Sequence, residues 1–356
     1  MSAPTLFPTS VVGSLPRPSY VKDLINDVVP MDADEYRRRM GYAISSAVAL
    51  QEEAGLDIIT DGEWWRKSYI GVIAELAHGF QLDQYPDGRP RTVVVDRLSP
   101  KAPGFIAREV SFLRSITQMQ IKATLPSPAL LGERLWDPEM SERAYPRRED
   151  FVRDCVPILR EELKLLVREE VSVVQIDDPH LCLFVDENVR SKYDDPDKAA
   201  AFAVDMTNAV VDAVKGVKLA VHLCRRAGAR ARGEAQFRGG YDPILAHLNR
   251  LHVHHLTMEF TTPAAGDMAV FRKLREDFEI GLGCVGTEPG VIDSADEIVR
   301  RVEMAIQHLA PERITLNPDC GFAPGSSANV SIDEVYQKLK NEVAAARRLR
   351  EKYAKA

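Results

Sequence analysis

Apolar residues along the chain fall into short, nearly continuous runs separated by longer amphipathic stretches. The runs lie at residues 9–13 (TSVVG), 57–60 (DIIT), 120–125 (QIKATL), 171–176 (VSVVQI), 217–223 (VKLAVHL), 255–259 (HLTME), 279–284 (EIGLGC) and 313–317 (RITLN). Runs of this length read as strands covered on both faces. Between them, apolar positions recur at helical spacing over 34–54, 149–169, 196–214, 294–309 and 332–352, with shorter helical stretches at 243–248 and 266–278. Strand–helix alternation of this kind implies a parallel sheet with crossover helices. Eight such units predict a closed (β/α)8 TIM barrel, in the α/β class. An open doubly wound sheet is the alternative. Residues 64–118 break the rhythm, and within them 92–96 (TVVVD) reads as one arm of an inserted hairpin. No repeat, low-complexity tract or linker divides the chain. The expectation is one catalytic barrel over 1–356, with 64–118 an irregular insertion after the second strand.

Composition narrows the function without changing the fold. The chain has 356 residues, 45% hydrophobic and 28% charged, as in ordinary globular proteins. A net charge of -7 excludes sequence-independent binding to nucleic acid phosphates, which needs a basic surface. The first residues, MSAPTLFPTS, lack a basic and an apolar region, and no uninterrupted apolar stretch reaches membrane-spanning length. A cytoplasmic protein without a membrane partner is expected. The five cysteines, an odd number, make a poor disulfide framework in that compartment.

Chemically capable residues gather where the strand runs end. These are Gly13-Ser14, Asp61-Gly62-Glu63, Asp177-Asp178, His222-Leu223-Cys224, Glu259 and Asp319-Cys320. In a barrel the carboxyl ends of the strands share one face, where catalysis takes place. His222 and Cys224 stand two apart on a strand and so point to the same side. An HxC pair alone is more often a buried cysteine beside a satisfied histidine. The barrel register adds Glu259 and Cys320 to the same rim. Imidazole, carboxylate and two thiolates form a zinc set, Zn2+ being favoured over harder ions by the sulfur ligands. Cys155, Cys182 and Cys284 read as packed core residues. His252, His254 and His255 precede or begin the sixth run and read as surface or bottom-rim residues.

The ordered motifs VVGSLPR (11–17), GLDIITDGEWWR (55–66), QIDDP (175–179), HLC (222–224), TMEF (257–260) and NPDCGF (317–322) resemble the cobalamin-independent methionine synthase family, in its C-terminal catalytic barrel. The resemblance covers roughly residues 9–350. It implies a zinc held by His222, Cys224, Glu259 and Cys320, the set reached from register. It also implies a pocket in which Ser14 holds an amino-acid thiol, Asp177 binds that substrate's ammonium, and Glu63 stands between thiol and methyl-donor sites. For each of these three, helix capping or turn chemistry is the plainer alternative. The chain departs from the family's pattern in two ways. The additional N-terminal half of the full methionine synthase has no counterpart in it. Ala295, in the stretch EPGVIDSADEI, also stands where many members carry a proton-donating histidine, which weakens methyl-folate as the donor.

The reaction expected is alkylation of a thiol, most simply methyl transfer to homocysteine. A free thiol is mostly protonated at neutral pH, and coordination to zinc deprotonates it. Glu63, Asp178 and His180 are candidate acids for the leaving group. Trp64, Trp65 and Tyr69 either wall the electrophile's pocket or simply pack. Arg225, Arg226, Arg230, Arg232 and Arg238 follow HLC, and Arg225 and Arg226 are the nearest candidates to clamp an anionic substrate. That loop and Ala295 also suit the similar epoxyalkane:coenzyme M transferases, which add a thiol to an epoxide. A metal hydrolase is a further alternative, although those barrels usually take an HxH pair from the first strand. A closed, structural zinc site is the last.

Overall fold

The computed structural model describes residues 5–26, 28, 30–86, 88, 90–226, 237–323 and 330–354. Seven strands form one parallel sheet: β1 (Ile58–Ile59), β4 (Gln120–Pro126), β5 (Val173–Asp177), β6 (Lys218–Leu223), β7 (His255–Glu259), β8 (Glu279–Val285) and β9 (Ile314–Pro318). Each pairs with the next in that order. Two antiparallel strands, β2 (Ala77–Gln84) and β3 (Pro90–Pro100), form a hairpin between β1 and β4.

The eighth position of the ring belongs to residues 9–10. Thr9 bridges Leu316 and Ser10 bridges Ile58, both in parallel sense. These bridges join β9 to β1 and complete the expected barrel. The predicted first strand is therefore two bridges rather than a regular ladder. Pro8 has no N–H to donate, and Phe7 before it sits at φ 48. Beyond the bridges, side chains take the carbonyls a ladder needs. Lys122 Nζ donates to Val11 O at 2.7 Å, Gln175 Nε2 to Val12 O at 3.0 Å, and Thr60 Oγ1 to Gly13 O at 2.8 Å.

Alternation along the strands sorts side chains between two environments. Ile121, Leu125, Val174, Ile176, Leu219, Val221, Leu256, Met258, Ile280, Leu282, Ile314 and Leu316 belong to the large core packed under the helices. The intervening positions are buried and mostly polar: Lys122, Thr124, Gln175, Asp177, His222, His255, Thr257, Glu259, Thr315 and Asn317. The barrel interior is thus a hydrogen-bonded column, not the apolar face expected from the runs. It is also narrow. A Cβ at Gly281 would lie 2.6 Å from Asn317 Oδ1 and from His255 Cε1. His255 corrects the bottom-rim reading, for it is buried with Nε2 2.8 Å from Thr315 Oγ1. His252 and His254 are exposed, as expected.

Helices Ala33–Ala54, Arg148–Arg168, Pro196–Val211, Ala295–Ile306 and Ile332–Tyr353 form where periodicity places them. Asp32 caps the first, and Gly55 ends it in the left-handed region at φ 90. The helix expected over 266–278 is instead two 3-10 turns, Pro263–Ala265 and Met268–Lys273. Gly266 separates them at φ +86, and a Cβ there would come within 2.5 Å of Gly240 Cα. The 64–118 stretch is more regular than its sequence reads. It carries the hairpin and then a crossover helix, Phe105–Ile116. Glu162 on Arg148–Arg168 caps that helix, accepting from the N–H groups of Gly104, Ile106 and Ala107 at 2.6–2.9 Å. No helix among the described residues is long and apolar enough to cross a membrane.

Candidate functional site

At the carboxyl end of the barrel, His222, Cys224 and Cys320 bring one ligand atom each to within 4.8 Å of one another. His222 ends an inward position of β6, Cys224 follows two residues on, and Cys320 follows β9. The two sulfurs are 3.5 Å apart, and all three residues are buried. His222 Nδ1 lies 3.2 Å from Asp177 Oδ1, its register partner on β5. Gln175 Nε2 donates to the same oxygen at 2.8 Å. Asp177 is held by Gln175 and in turn holds the imidazole. His222 Nε2 is left buried without a hydrogen-bond partner. An orphaned imidazole nitrogen beside two thiols is the donor chemistry zinc takes, and a carboxylate on the far nitrogen is its usual support.

The electrostatics point the same way. Hydrogen bonding with Cys320 and the nearby imidazole hold the Cys224 thiol well below its usual range. Burial disfavours charge on His222, but the Cys224 thiolate and Asp177 outweigh it and push the imidazole up to about 10. The Cys224 sulfur is thereby held toward its thiolate, the form that ligates a metal.

Glu259, the fourth residue expected, ends β7 and is completely buried. It lies outside the group of three, and its Oε2 accepts from Arg225 N at 2.8 Å. Tyr241 secures its backbone, since Glu259 N donates to the phenol oxygen at 3.0 Å. Asp319 ties the end of β7 to that of β9, accepting from Phe260 N and Thr261 N at 3.0 and 3.1 Å.

Ser14 meets the segment after Cys320. Its Oγ accepts from Ala323 N at 3.3 Å, and a Cβ on Gly321 would strike it at 2.3 Å. Glu63 faces Thr124, whose hydroxyl bonds Oε1 at 2.8 Å. Its backbone lies at φ 60, in the left-handed region that a non-glycine residue enters at a cost of about 1–3 kcal/mol. Burial raises the Glu63 carboxyl, Arg66 opposes this and Asp177 adds to it. Tyr69 packs against the core, and burial raises its phenol, with Cys224, Asp177 and Cys320 adding to the rise and Arg134 opposing it. Trp64 is packed in the core with Nε1 on Leu15 O at 3.2 Å, and Trp65 stands edge-on to Phe112.

Other sequence candidates have structural duties. Asp178 caps helix Pro179–Leu183 through Leu181 N at 2.9 Å, and burial pushes it up to about 7. His180 is buried beside Phe184, and burial pushes it down to about 3, so its imidazole is neutral. Arg225 is buried against Tyr241, with guanidinium bonds to the Tyr241 hydroxyl at 3.1 Å and Gly239 O at 2.6 Å. That position does not suit a substrate clamp. Arg226 stands over the Phe237 ring at 5.7 Å. Arg238 donates its N–H to Asp186, while Arg230 and Arg232 lie outside the described residues. Ala295 is the first residue of its helix, behind a Ser294–Glu297 capping box. Sequence reading missed Gln175, Thr124, Arg66 and Tyr241 as supports. Arg66 and Gln175 lie inside quoted motifs, but nothing in the sequence marks Tyr241.

The profile of the family described as "Cobalamin-independent synthase, Catalytic domain" matches residues 7–348. The chain belongs to the cobalamin-independent methionine synthase family. Relatives in that family span it end to end. The methionine synthase of Pyrococcus abyssi is 28% identical over 362 residues, covering 98% of this chain and 95% of that protein. That of Pyrococcus horikoshii is 26% identical, covering 97% and 93%. A B12-independent methionine synthase from a Shewanella species, solved in complex with selenomethionine, superposes with a TM-score of 0.80 at 21% identity, covering 99% and 100% of the two chains. This structural likeness bears on the family's barrel alone.

Proposed function

We propose that this chain is a zinc-dependent methyltransferase acting on a small thiol, homocysteine being the thiol its family relatives' names imply. The observation that carries the reading is the convergence of His222 Nε2, unpartnered and buried, with the sulfurs of Cys224 and Cys320. Zinc, when bound, lowers the pKa of a thiol so that it is nucleophilic at neutral pH. Asp177 fixes the imidazole so that Nε2 faces the thiols. Glu259 is the fourth ligand of the proposal, its carboxylate now accepting from Arg225 N. Ser14 and Asp177 border the cluster and hold the amino-acid part of the thiol substrate. In the transfer, a sulfur lone pair forms the new bond to carbon, and the donor leaves with the electron pair of the broken bond. Glu63 supplies the leaving group's proton. His180 is neutral and Asp178 is engaged as a cap, which leaves Glu63 as the best-placed acid.

Zinc content of the purified protein tests the metal site, with Cys224→Ser and Cys320→Ser expected to hold well below one equivalent. Zinc unchanged in both variants refutes it. Turnover of a thiol panel with methyl-folate and with epoxide donors tests the reaction. Epoxide turnover without methyl transfer would select thiol addition to an epoxide instead. Arg225, engaged by Tyr241 and Gly239, gives that alternative no support.

A further inference from the structure

The Glu63 carboxyl sits at the end of a buried chain of hydrogen bonds with only one possible direction. Arg66 donates through Nε and Nη2 to Glu109, at 3.0 and 2.7 Å. It donates through Nη1 to Thr124 Oγ1 at 2.9 Å. Thr124 Oγ1 is 2.8 Å from Glu63 Oε1. A guanidinium has no acceptor, and a hydroxyl has one proton. Thr124 must therefore accept from Arg66 and donate to Glu63. Oε1 is thereby fixed as an acceptor.

We infer that Arg66 and Thr124 are positioning residues that confine the transferable proton of Glu63 to Oε2. This rests on the reading of Glu63 as proton donor given above. Oε2 takes no protein hydrogen bond among the described residues, whereas Oε1 is pinned against Gly13, where an added Cβ would stand 2.9 Å away. The backbone is fixed independently. Arg17 Nη2 bonds Glu63 O at 2.7 Å and Arg66 O at 2.5 Å, and Asp61 Oδ1 accepts from Glu63 N at 2.9 Å. With main chain and Oε1 both held, the carboxyl cannot exchange its oxygens by rotation without breaking the Thr124 bond. The charged groups around it are Arg17, Asp61, Arg66 and Asp177, with Glu109 behind Arg66. Burial raises the carboxyl above its ordinary range, which favours the protonated form.

Thr124→Val removes the hydroxyl and keeps the shape. Loss of a donor to the carboxylate disfavours its ionised form, so the Glu63 pKa should rise by about one unit. The readout is an infrared titration of the carboxyl bands in protein carrying 13C-labelled glutamate, with Glu63→Gln assigning the band. Thr124→Ser should restore the parent value, and Thr124→Ala serves if the valine variant is insoluble. In turnover, Thr124→Val should lower kcat about tenfold with KM for the thiol within about twofold, and serine should rescue it. A Glu63 pKa that stays within about 0.3 unit in Thr124→Val, or that serine fails to restore, overturns the inference. The titration needs no turnover, so a parent protein inert toward every thiol refutes the proposed function while the titration still judges the proton's position.

Discussion

Replacing Asp177 with asparagine tests the centre at its support rather than at its ligands. Asp177 Oδ1 receives Gln175 Nε2 at 2.8 Å and faces His222 Nδ1 at 3.2 Å. An amide oxygen can accept both, so Asp177→Asn keeps the geometry and removes the charge. A hydrogen bond to a charged group is worth ~1.5–3 kcal/mol and a neutral one ~0.5–1.5. The difference of ~1–1.5 kcal/mol corresponds to a roughly tenfold loss of zinc affinity, the lower end of what ligand-orienting partners usually contribute. Asp177→Ala leaves two buried donors unpaired and should lose roughly a hundredfold. A second effect opposes the first. Without metal, His222 holds a proton up to about pH 10, partly because of Asp177, and zinc must displace it. Removing the charge loosens that proton, so the deficit at about pH 7 is smaller than the deficit at about pH 9. Competition with a calibrated chelator at both pH values measures it. A deficit absent at the alkaline end, or larger at the neutral end, refutes the orienting role of Asp177.

Three further outcomes follow from the same geometry. Tyr241→Phe strips a hydroxyl from the Glu259 N–H and from Arg225, both buried, and should destabilise the fold by ~2–4 kcal/mol in thermal or denaturant unfolding. A change under about 0.5 kcal/mol would mean that water replaces the phenol. Gly283→Ala places a Cβ 2.5 Å from Asp319 Oδ1 and 2.7 Å from Met258 O, and should destabilise by at least ~1–3 kcal/mol; unfolding at the parent's midpoint would contradict the packing. In the metal-free protein, His222 is raised from 6.5 to about 10 while Cys224 is lowered from 9.0. The His222 contribution is lost as pH rises through 10, and the Cys224 contribution is lost as pH falls below 9. Above 9.0 both unfolded groups are deprotonated while folded His222 still holds its proton, so the pair's contribution should decline from 9.0 toward 10. A decline between 9.0 and 10 as steep in Cys224→Ala as in the parent, in unfolding measured at a series of pH values, would disprove the charged pair.

Much of the site was legible because a parallel barrel turns sequence order into angular order around one rim. Spacing put His222 and Cys224 on one side of a strand, and the barrel register put Cys320 on the same rim. The barrel's inner face was less legible. Lys122, Gln175, His255 and Thr315 sit among apolar neighbours, so the runs looked covered by hydrocarbon on both sides. Their burial depends on pairing across the axis with residues tens of positions away, such as His255 with Thr315. Arg225 was illegible for the opposite reason. Charge in a loop suggests solvent and ligands, but Arg225 turns back onto Tyr241, a contact no local pattern announces.

The ring's closure sets an order of events. Arg350 reaches Leu6 O, 344 residues away in sequence, and Glu342 accepts from Ser10 N at 3.1 Å. Thr9 and Ser10 complete the barrel only when β9 stands beside them. At ~5–20 residues per second, a ribosome takes tens of seconds to make that much chain. For most of that interval the first-made segment has β1 beside it but not β9, while β4 to β8 can pair as they are made. The barrel is therefore sealed last by its oldest residues, and Cys320, which arrives with the seal, cannot join His222 and Cys224 before it.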